Sequence, residues 1–230
     1  MRKRRKKYNA AVAFIVVIMC MILWYLPSIA IAEPEGDFPD QDPDEWRLIL
    51  VNKQHPIPNN YIFETGRIHN GLMVDERITG ALDDMLSAAK EDGVLLLVIS
   101  PYRSREKQQR LFDEKVSRSM RHGSSYLDAF RETAQAVTIP GSSEHEIGLA
   151  VDLTTKKHIT LDAAYADSEG GIWLKEHCAE YGFILRYPEG KEDITGIEFE
   201  PWHFRYVGKE TAAYIMEHDL TLEEYVGMLR

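Results

Sequence analysis

The sequence contains little cysteine, and its two cysteines lie in different parts of the chain. Cys20 falls inside an apolar run near the N-terminus, and Cys178 is alone in the part that follows. No disulfide can therefore form within that part, which excludes a fold that depends on disulfide bonds. We expect Cys178 to pack as a small apolar residue.

Beyond the first seven residues, acidic side chains outnumber basic ones. The chain has a formal net charge of −10, and residues 1–32 contain six basic side chains and no acidic one, so the remainder has a net charge of −16. Binding to the phosphates of nucleic acid needs a basic surface. We therefore expect no nucleic-acid partner.

Only one long hydrophobic run is present, at residues 10–26, and a basic cluster precedes it. Its seventeen residues exceed the usual core of a signal peptide and approach the length of about 20 that spans a bilayer. We predict a cytoplasmic basic segment at 1–9 and a membrane anchor at 10–32, with the rest of the chain outside. Secretion is the alternative, because Ala30-Ile31-Ala32 resembles a signal-peptidase site.

Two further segments follow the hydrophobic run. Residues 33–45 are acidic, contain three prolines and have little to bury, which predicts a flexible tether. Residues 46–230 have the length of one domain with a substantial core, and they contain no internal repeat.

Hydrophobic periodicity in this domain predicts both helices and strands. The predicted helices cover 75–91, 104–121, 126–136, 171–181, 211–218 and 222–229, and the predicted strands cover 94–100, 149–153 and 202–207. Strands that are separated by helices and then cluster near the C-terminus favour the α+β class. We expect a single domain with a small, mainly antiparallel sheet flanked by helices.

Two short stretches carry the residue types of a hydrolytic zinc site. They are residues 143–153, S-E-H-E-I-G-L-A-V-D-L, and residues 200–203, E-P-W-H. Catalytic zinc usually has three protein ligands and an open position for water, with a carboxylate nearby to take a proton. We interpret His145, Asp152 and His203 as ligands and Glu200 as the general base.

The local sequence is compatible with these roles. Alternation along 149–153 places Asp152 on the face opposite the apolar side chains, and Gly148 allows the preceding loop to fold back. Glu200 and His203 would diverge on a regular strand, so we expect a bend at Pro201 to bring the carboxylate round.

The motifs resemble those of a known family, the zinc D-alanyl-D-alanine carboxypeptidases of the vancomycin-resistance type, which are grouped with L,D-carboxypeptidases. The pattern S-x-H-x-x-G-x-A-x-D is met by Ser143, His145, Gly148, Ala150 and Asp152, and the E-P-W-H pattern is met by residues 200–203. The resemblance extends from about residue 50 to residue 208. It implies a Zn²⁺ enzyme that removes the C-terminal D-alanine from peptidoglycan stem peptides, with residues 46–230 as the carboxypeptidase domain.

The resemblance also implies substrate-binding residues. Tyr102-Arg103-Ser104 and Gln108 match the family pattern Y-R-S-x-x-x-Q. The guanidinium of Arg103 could hold the terminal carboxylate of the peptide or donate to the oxyanion that develops during hydrolysis. Gln108 and Ser143 are further candidates for hydrogen bonds to the peptide, although Ser143 could instead cap a turn. Tyr187 could line the pocket or belong to the core.

Three alternatives to this function remain. An L,D-carboxypeptidase acting on tetrapeptides and a dipeptidase acting on free D-Ala-D-Ala would use the same zinc site. A non-catalytic peptidoglycan-binding domain belongs to a different class, and it would be expected to have lost Glu200 or one ligand, whereas all four residues are present.

Overall fold

The computed structural model of the protein describes residue 42 and residues 45–230. The predicted basic segment and membrane anchor lie outside these residues, as does the predicted acidic tether except for residues 42 and 45. Within the described part, no helix has the length and hydrophobicity needed to cross a bilayer.

The described domain contains two antiparallel sheets. A two-stranded hairpin pairs β1 (Thr65–Arg67) with β2 (Met73–Asp75). The larger sheet has the order β3-β4-β6-β5, in which every neighbouring pair is antiparallel. Its strands are β3 (Leu96–Ser100), β4 (Ala150–Thr155), β5 (Phe183–Leu185) and β6 (His203–Tyr206).

Seven α-helices surround these sheets in the described residues. They are α1 (Thr79–Glu91), α2 (Arg105–Arg121), α3 (Tyr126–Ala136), α4 (Glu169–His177), α5 (Glu192–Thr195), α6 (Lys209–Glu217) and α7 (Leu222–Met228). The side chains of Ser104 and Ser125 accept backbone N–H bonds at the starts of α2 and α3, where helices leave donors unpaired. The predictions for 104–121 and 126–136 are confirmed to within one residue.

Two other predicted helices are divided in the structure. Residues 76–78 form a 3₁₀ turn before α1, because the Asp75 carboxylate accepts from the backbone N–H of Arg77 and starts the turn early. The predicted helix at 171–181 consists of α4 and a 3₁₀ helix, Cys178–Tyr181. Gly182 ends it with a φ of 85°, a conformation that favours glycine.

The core lies between the larger sheet and the helices that cover it. Leu82 and Met85 of α1 and Val151 and Leu153 of β4 are fully buried in one cluster. Cys178 joins them, and burial raises the pKa of its thiol to about 12, so it packs as predicted. The α+β class with a small antiparallel sheet is confirmed. The positions of β4 and β6 within this sheet determine where the predicted zinc ligands lie.

Candidate metal centre

Two adjacent strands carry two of the predicted ligands. Asp152 of β4 and His203 of β6 are paired in the antiparallel register, and both are buried. His145 lies on a 3₁₀ helix, Glu144–Ile147, just before β4. Gly148 connects the two with a φ of 71°, and a Cβ there would lie 2.7 Å from the backbone nitrogen of Asp75. Only glycine therefore fits the turn that folds His145 back toward Asp152.

The three predicted ligands converge on one point. Nδ1 of His203 lies 3.1 Å from Oδ1 of Asp152, and Nε2 of His145 lies 3.4 Å from the same oxygen. One ligand atom from each residue lies within 4.8 Å of the others. Tetrahedral zinc with bonds of about 2.0–2.1 Å places neighbouring ligand atoms about 3.3 Å apart. The two measured separations match that spacing.

The hydrogen bonding of these side chains also fits a cation. Nδ1 of His145 lies 3.1 Å from the carbonyl oxygen of Pro101, to which it can donate, and this leaves the lone pair of Nε2 for a metal. Nε2 of His145 and Oδ1 of Asp152 are buried and have no hydrogen-bond partner among the described residues. Buried polar atoms are costly unless they are paired. A zinc ion would pair both atoms.

Burial and neighbouring charged side chains shift the pKa values of the three predicted ligands even without a metal. Burial and the nearby Arg103 lower the pKa of His145 to about 4. Burial also opposes the charged form of His203, but the carboxylates of Asp152 and Glu144 outweigh it and raise the pKa of His203 to about 9. The pKa of Asp152 lies well below its usual range despite burial, because both imidazoles face it.

Glu200 lies beside the three predicted ligands and is not one of them. The backbone N–H of His203 donates to the carbonyl of Glu200 at 3.0 Å, which closes a turn through Pro201. Oε2 of Glu200 lies 3.6 Å from Nδ1 of His203, so the predicted bend brings the carboxylate to the centre. Burial raises the pKa of Glu200 to about 8, close to the value that suits proton transfer near neutral pH.

Arg103 faces the same centre from the loop that follows β3. Its backbone N–H donates to the carbonyl of His145 at 3.1 Å, and its side chain is half-buried. Burial lowers the pKa of its guanidinium, and the charges of Asp152 and Glu200 oppose that shift. The guanidinium of Arg103 is therefore close enough to Asp152 and Glu200 to interact with their charges, and its role toward a substrate stays a prediction.

Of the other predicted substrate contacts in the described part of the chain, only Tyr187 is recorded in contact with one of the predicted ligands. Gln108 is fully buried on α2, where its Nε2 donates to the carbonyl of Thr138 at 2.7 Å. Ser143 is buried at the start of the 3₁₀ helix, and its backbone N–H contacts Oε1 of Glu146 at 3.4 Å. Tyr187 packs against the ring of His203 with centroids 4.8 Å apart. Their roles toward a peptide stay predictions.

A buried ionic network behind His203 was missed by the sequence reasoning. Oε1 of Glu144 accepts from Nε of Arg186 at 2.7 Å and from Nη1 of Arg205 at 2.8 Å, and all three side chains are fully buried. Glu223 of α7 binds Arg186 through both of its oxygens, at 2.7 and 2.8 Å. The two arginines hold the pKa of Glu144 far below its usual range despite its burial.

The described chain resembles characterised proteins in sequence. A family model for VanY, D-alanyl-D-alanine carboxypeptidase, matches residues 71–209. A D-alanyl-D-alanine carboxypeptidase of Enterococcus faecalis (strain ATCC 700802 / V583) is 44% identical over 201 residues, which are 87% of this chain and 71% of that protein.

Solved structures show the same similarity. VanYB in complex with D-alanine-D-alanine superposes with a TM-score of 0.74 at 43% identity, covering 81% of this chain and all of that one. A variant of the D,D-pentapeptidase VanY from a VanB-type resistance cassette, in complex with Zn(II), superposes with a TM-score of 0.71 at 44% identity. That match covers 79% of this chain and 99% of the other.

Proposed function

This chain belongs to the VanY family of D-alanyl-D-alanine carboxypeptidases, and we propose that Glu200 is the general base and Arg103 the substrate anchor of its reaction. The protein is a zinc metallopeptidase, and the side chains of His145, Asp152 and His203 form a group that could hold the metal. The convergence of these three side chains beside the buried carboxylate of Glu200 is the observation that carries the proposal.

Each group of the centre has a place in hydrolysis of the terminal peptide bond. A zinc ion, when bound, supplies a Lewis acid for the carbonyl and lowers the pKa of a coordinated water to about 7. The carboxylate of Glu200 accepts a proton as the water oxygen attacks the carbonyl carbon. Glu200 then returns that proton to the amine that leaves when the C–N bond breaks. The elevated pKa of Glu200 makes it suited to both transfers.

Arg103 supplies the positive charge on the substrate side of the centre. Its guanidinium can hold the terminal carboxylate by two parallel hydrogen bonds or donate to the carbonyl oxygen as that oxygen becomes negative. The half-buried position strengthens either interaction, because water competes less there. Gln108 and Ser143 are proposed to hydrogen-bond the peptide backbone, and Tyr187 to contact the peptide from beside His203.

The proposed substrate is a peptidoglycan stem peptide that ends in D-Ala-D-Ala. The test is incubation of the purified full chain, in detergent, with stem pentapeptide, stem tetrapeptide and free D-Ala-D-Ala, followed by mass analysis. Loss of one alanine from the pentapeptide alone, abolished by a chelator, is the expected result. Cleavage of the tetrapeptide alone would assign L,D-carboxypeptidase activity, and cleavage of the free dipeptide alone would assign dipeptidase activity.

We further propose that residues 10–32 anchor the chain in the cell membrane with the catalytic domain outside. The basic residues before the apolar run and its length of seventeen residues support this orientation and this role. Mass analysis of the N-terminal peptide from the membrane fraction is the test. An intact N-terminus is expected, and a mature chain that begins at Glu33 would show that the segment is a cleaved signal peptide.

A further inference from the structure

The buried carboxylate of Glu144 divides its two oxygens between different partners. Oε1 accepts the hydrogen bonds of Arg186 and Arg205. Oε2 lies 3.5 Å from Nε2 of His203, and neither of these two atoms has a hydrogen-bond partner among the residues that the structure describes. The second oxygen of Glu144 is therefore directed at a predicted zinc ligand.

The two nitrogens of His203 face different groups. Nδ1 faces the carboxylates of Asp152 and Glu200, at 3.1 and 3.6 Å, on the side where the three ligands converge. Nε2 faces Glu144. A neutral imidazole carries one proton, and an ionised carboxylate only accepts hydrogen bonds. With the proton on Nε2, the lone pair of Nδ1 points toward the metal position, which is the arrangement that a zinc ligand needs.

The carboxylate of Glu144 is held in a fixed orientation. Arg186 is itself bound through two hydrogen bonds to Glu223, and Nη2 of Arg205 donates to the carbonyls of Arg47 and Ile49, both at 2.9 Å. Arg186, Arg205 and Glu144 have no exposed side-chain surface. Because both donors occupy Oε1, only Oε2 remains for His203.

We propose that Glu144 is a positioning residue that fixes the ring orientation of His203 and keeps its proton on Nε2. This inference rests on the proposed role of His203 as a zinc ligand. In this proposal Glu144 contacts neither the metal position nor the substrate. It acts only through His203.

The substitution Glu144→Gln tests this role with nearly unchanged side-chain volume. Both arginines only donate, so the amide oxygen must take the place of Oε1, and the NH₂ group then faces Nε2 of His203. Because the NH₂ group donates, it favours the tautomer in which Nε2 of His203 accepts and Nδ1 carries the proton. A proton on Nδ1 occupies the lone pair that would bind the metal. The expected result is zinc affinity about 10- to 100-fold weaker, measured on the full chain by competition with a chromophoric chelator. Affinity within threefold of the unmodified protein would overturn the proposal.

Glu223→Gln is the matched control, because it weakens the same buried network while leaving the pair of Glu144 and His203 in place. We expect it to lower the unfolding temperature with zinc affinity within threefold of the unmodified protein. An equal loss of zinc affinity in both variants would assign Glu144 a general structural role and overturn the proposal. His203→Ala tests the ligand role of His203 separately from the positioning role of Glu144. If this variant binds zinc normally, His203 is not a ligand.

A measurement on the unmodified protein does not depend on how the variants fold. Long-range ¹H–¹⁵N correlation spectra of the zinc-loaded full chain, labelled at histidine, identify the protonated nitrogen of each ring. The proposal predicts a proton on Nε2 of His203 and none on Nδ1. A proton on Nδ1 would contradict it even if Glu144→Gln cannot be purified.

Discussion

Asp152 and His203 are directly paired residues on adjacent antiparallel strands, and Oδ1 of one lies 3.1 Å from Nδ1 of the other. Side chains alternate between the faces of a sheet, so a register shift of one residue would send one of the two to the opposite face. The pairing of β4 with β6 is therefore what assembles the centre, and His145 joins it through the turn at Gly148.

Removal of a ligand should remove the metal. Asp152→Ala is expected to reduce zinc content from one ion per chain to well below one, because Oδ1 faces Nε2 of His145 at 3.4 Å and Nδ1 of His203 at 3.1 Å. Asp162→Ala is the control, since Asp162 forms an exposed pair with His158 at 3.0 Å and should keep its zinc. Metal analysis after gel filtration measures both, and full zinc content in Asp152→Ala would refute its assignment.

Arg103 should be sensitive even to a change that preserves its charge. The ammonium of lysine is a point charge and cannot reproduce two parallel hydrogen bonds. Arg103→Lys is expected to lower kcat/KM for the stem pentapeptide by about 10²-fold, which is typical for loss of one such donor. A reduction of less than threefold would argue that Arg103 does not contact the peptide.

A pentapeptide amidated at its C-terminus identifies the oxygen that Arg103 holds. If Arg103 holds the terminal carboxylate, amidation should impair the unmodified enzyme and have little further effect on Arg103→Lys. If Arg103 contacts the scissile carbonyl, the substitution should lower kcat by the same factor for both peptides.

Zinc binding to the apoprotein should release a proton and strengthen as pH rises. The carboxylates around His203 raise its pKa to about 9 against the opposing effect of burial, so this ring is protonated at neutral pH without metal. Its proton must leave before Nδ1 can bind zinc. The apparent affinity should therefore increase about tenfold per pH unit between 7 and 9 and level off above 9. Chelator competition across this range measures it, and a pH-independent affinity would contradict the assignment.

The raised pKa of His203 should make the apoprotein less stable as pH rises, although zinc binding strengthens over the same range. His203 gains protons on folding because its folded pKa exceeds the ordinary value of 6.5. Its contribution to the free energy of unfolding is thus fully present below pH 6.5 and is lost as pH rises through about 9. Urea unfolding of chelator-treated protein at pH 6 and pH 9 measures this loss.

The turn at Gly148 should tolerate no side chain. Gly148→Ala would combine a φ of 71° with a Cβ only 2.7 Å from the nitrogen of Asp75 and 2.8 Å from the ring of Phe63. Gly190→Ala is the control, because Gly190 has a φ of 80° and nothing within 4 Å of the added atom. We expect a loss of about 1–2 kcal/mol in the control and a larger loss, with reduced zinc content, in Gly148→Ala. Equal losses in urea unfolding would show that the close contact is unimportant.

The sequence predicted the centre because short-range patterns carry most of its geometry. Alternation in 149–153 placed Asp152 away from the apolar side chains, and the E-P-W-H stretch required a bend that the structure shows between Glu200 and His203. The hairpin of β1 and β2 and the strand β5 were missed, because each of these strands has three residues and gives no usable periodicity.

The buried network was missed for a different reason. Glutamate and arginine are usually exposed, and no local pattern marks Glu144 or Arg186 as buried. Arg186 lies 42 positions and Arg205 61 positions after Glu144, so only the folded chain reveals that they meet. The alternation of His203 with Arg205 on one face of β6 was a usable signal, since it placed a second polar side chain toward the same interior.

Glu200→Ala, examined for zinc content and hydrolysis on the same sample, tests the central claim most directly. Glu200 lies beside the three ligands without belonging to them, so the variant should retain one zinc ion per chain. Its hydrolysis of stem pentapeptide should fall by about 10²- to 10⁴-fold, as expected for loss of a general base. Hydrolysis close to that of the unmodified enzyme, with zinc still bound, would contradict the mechanism.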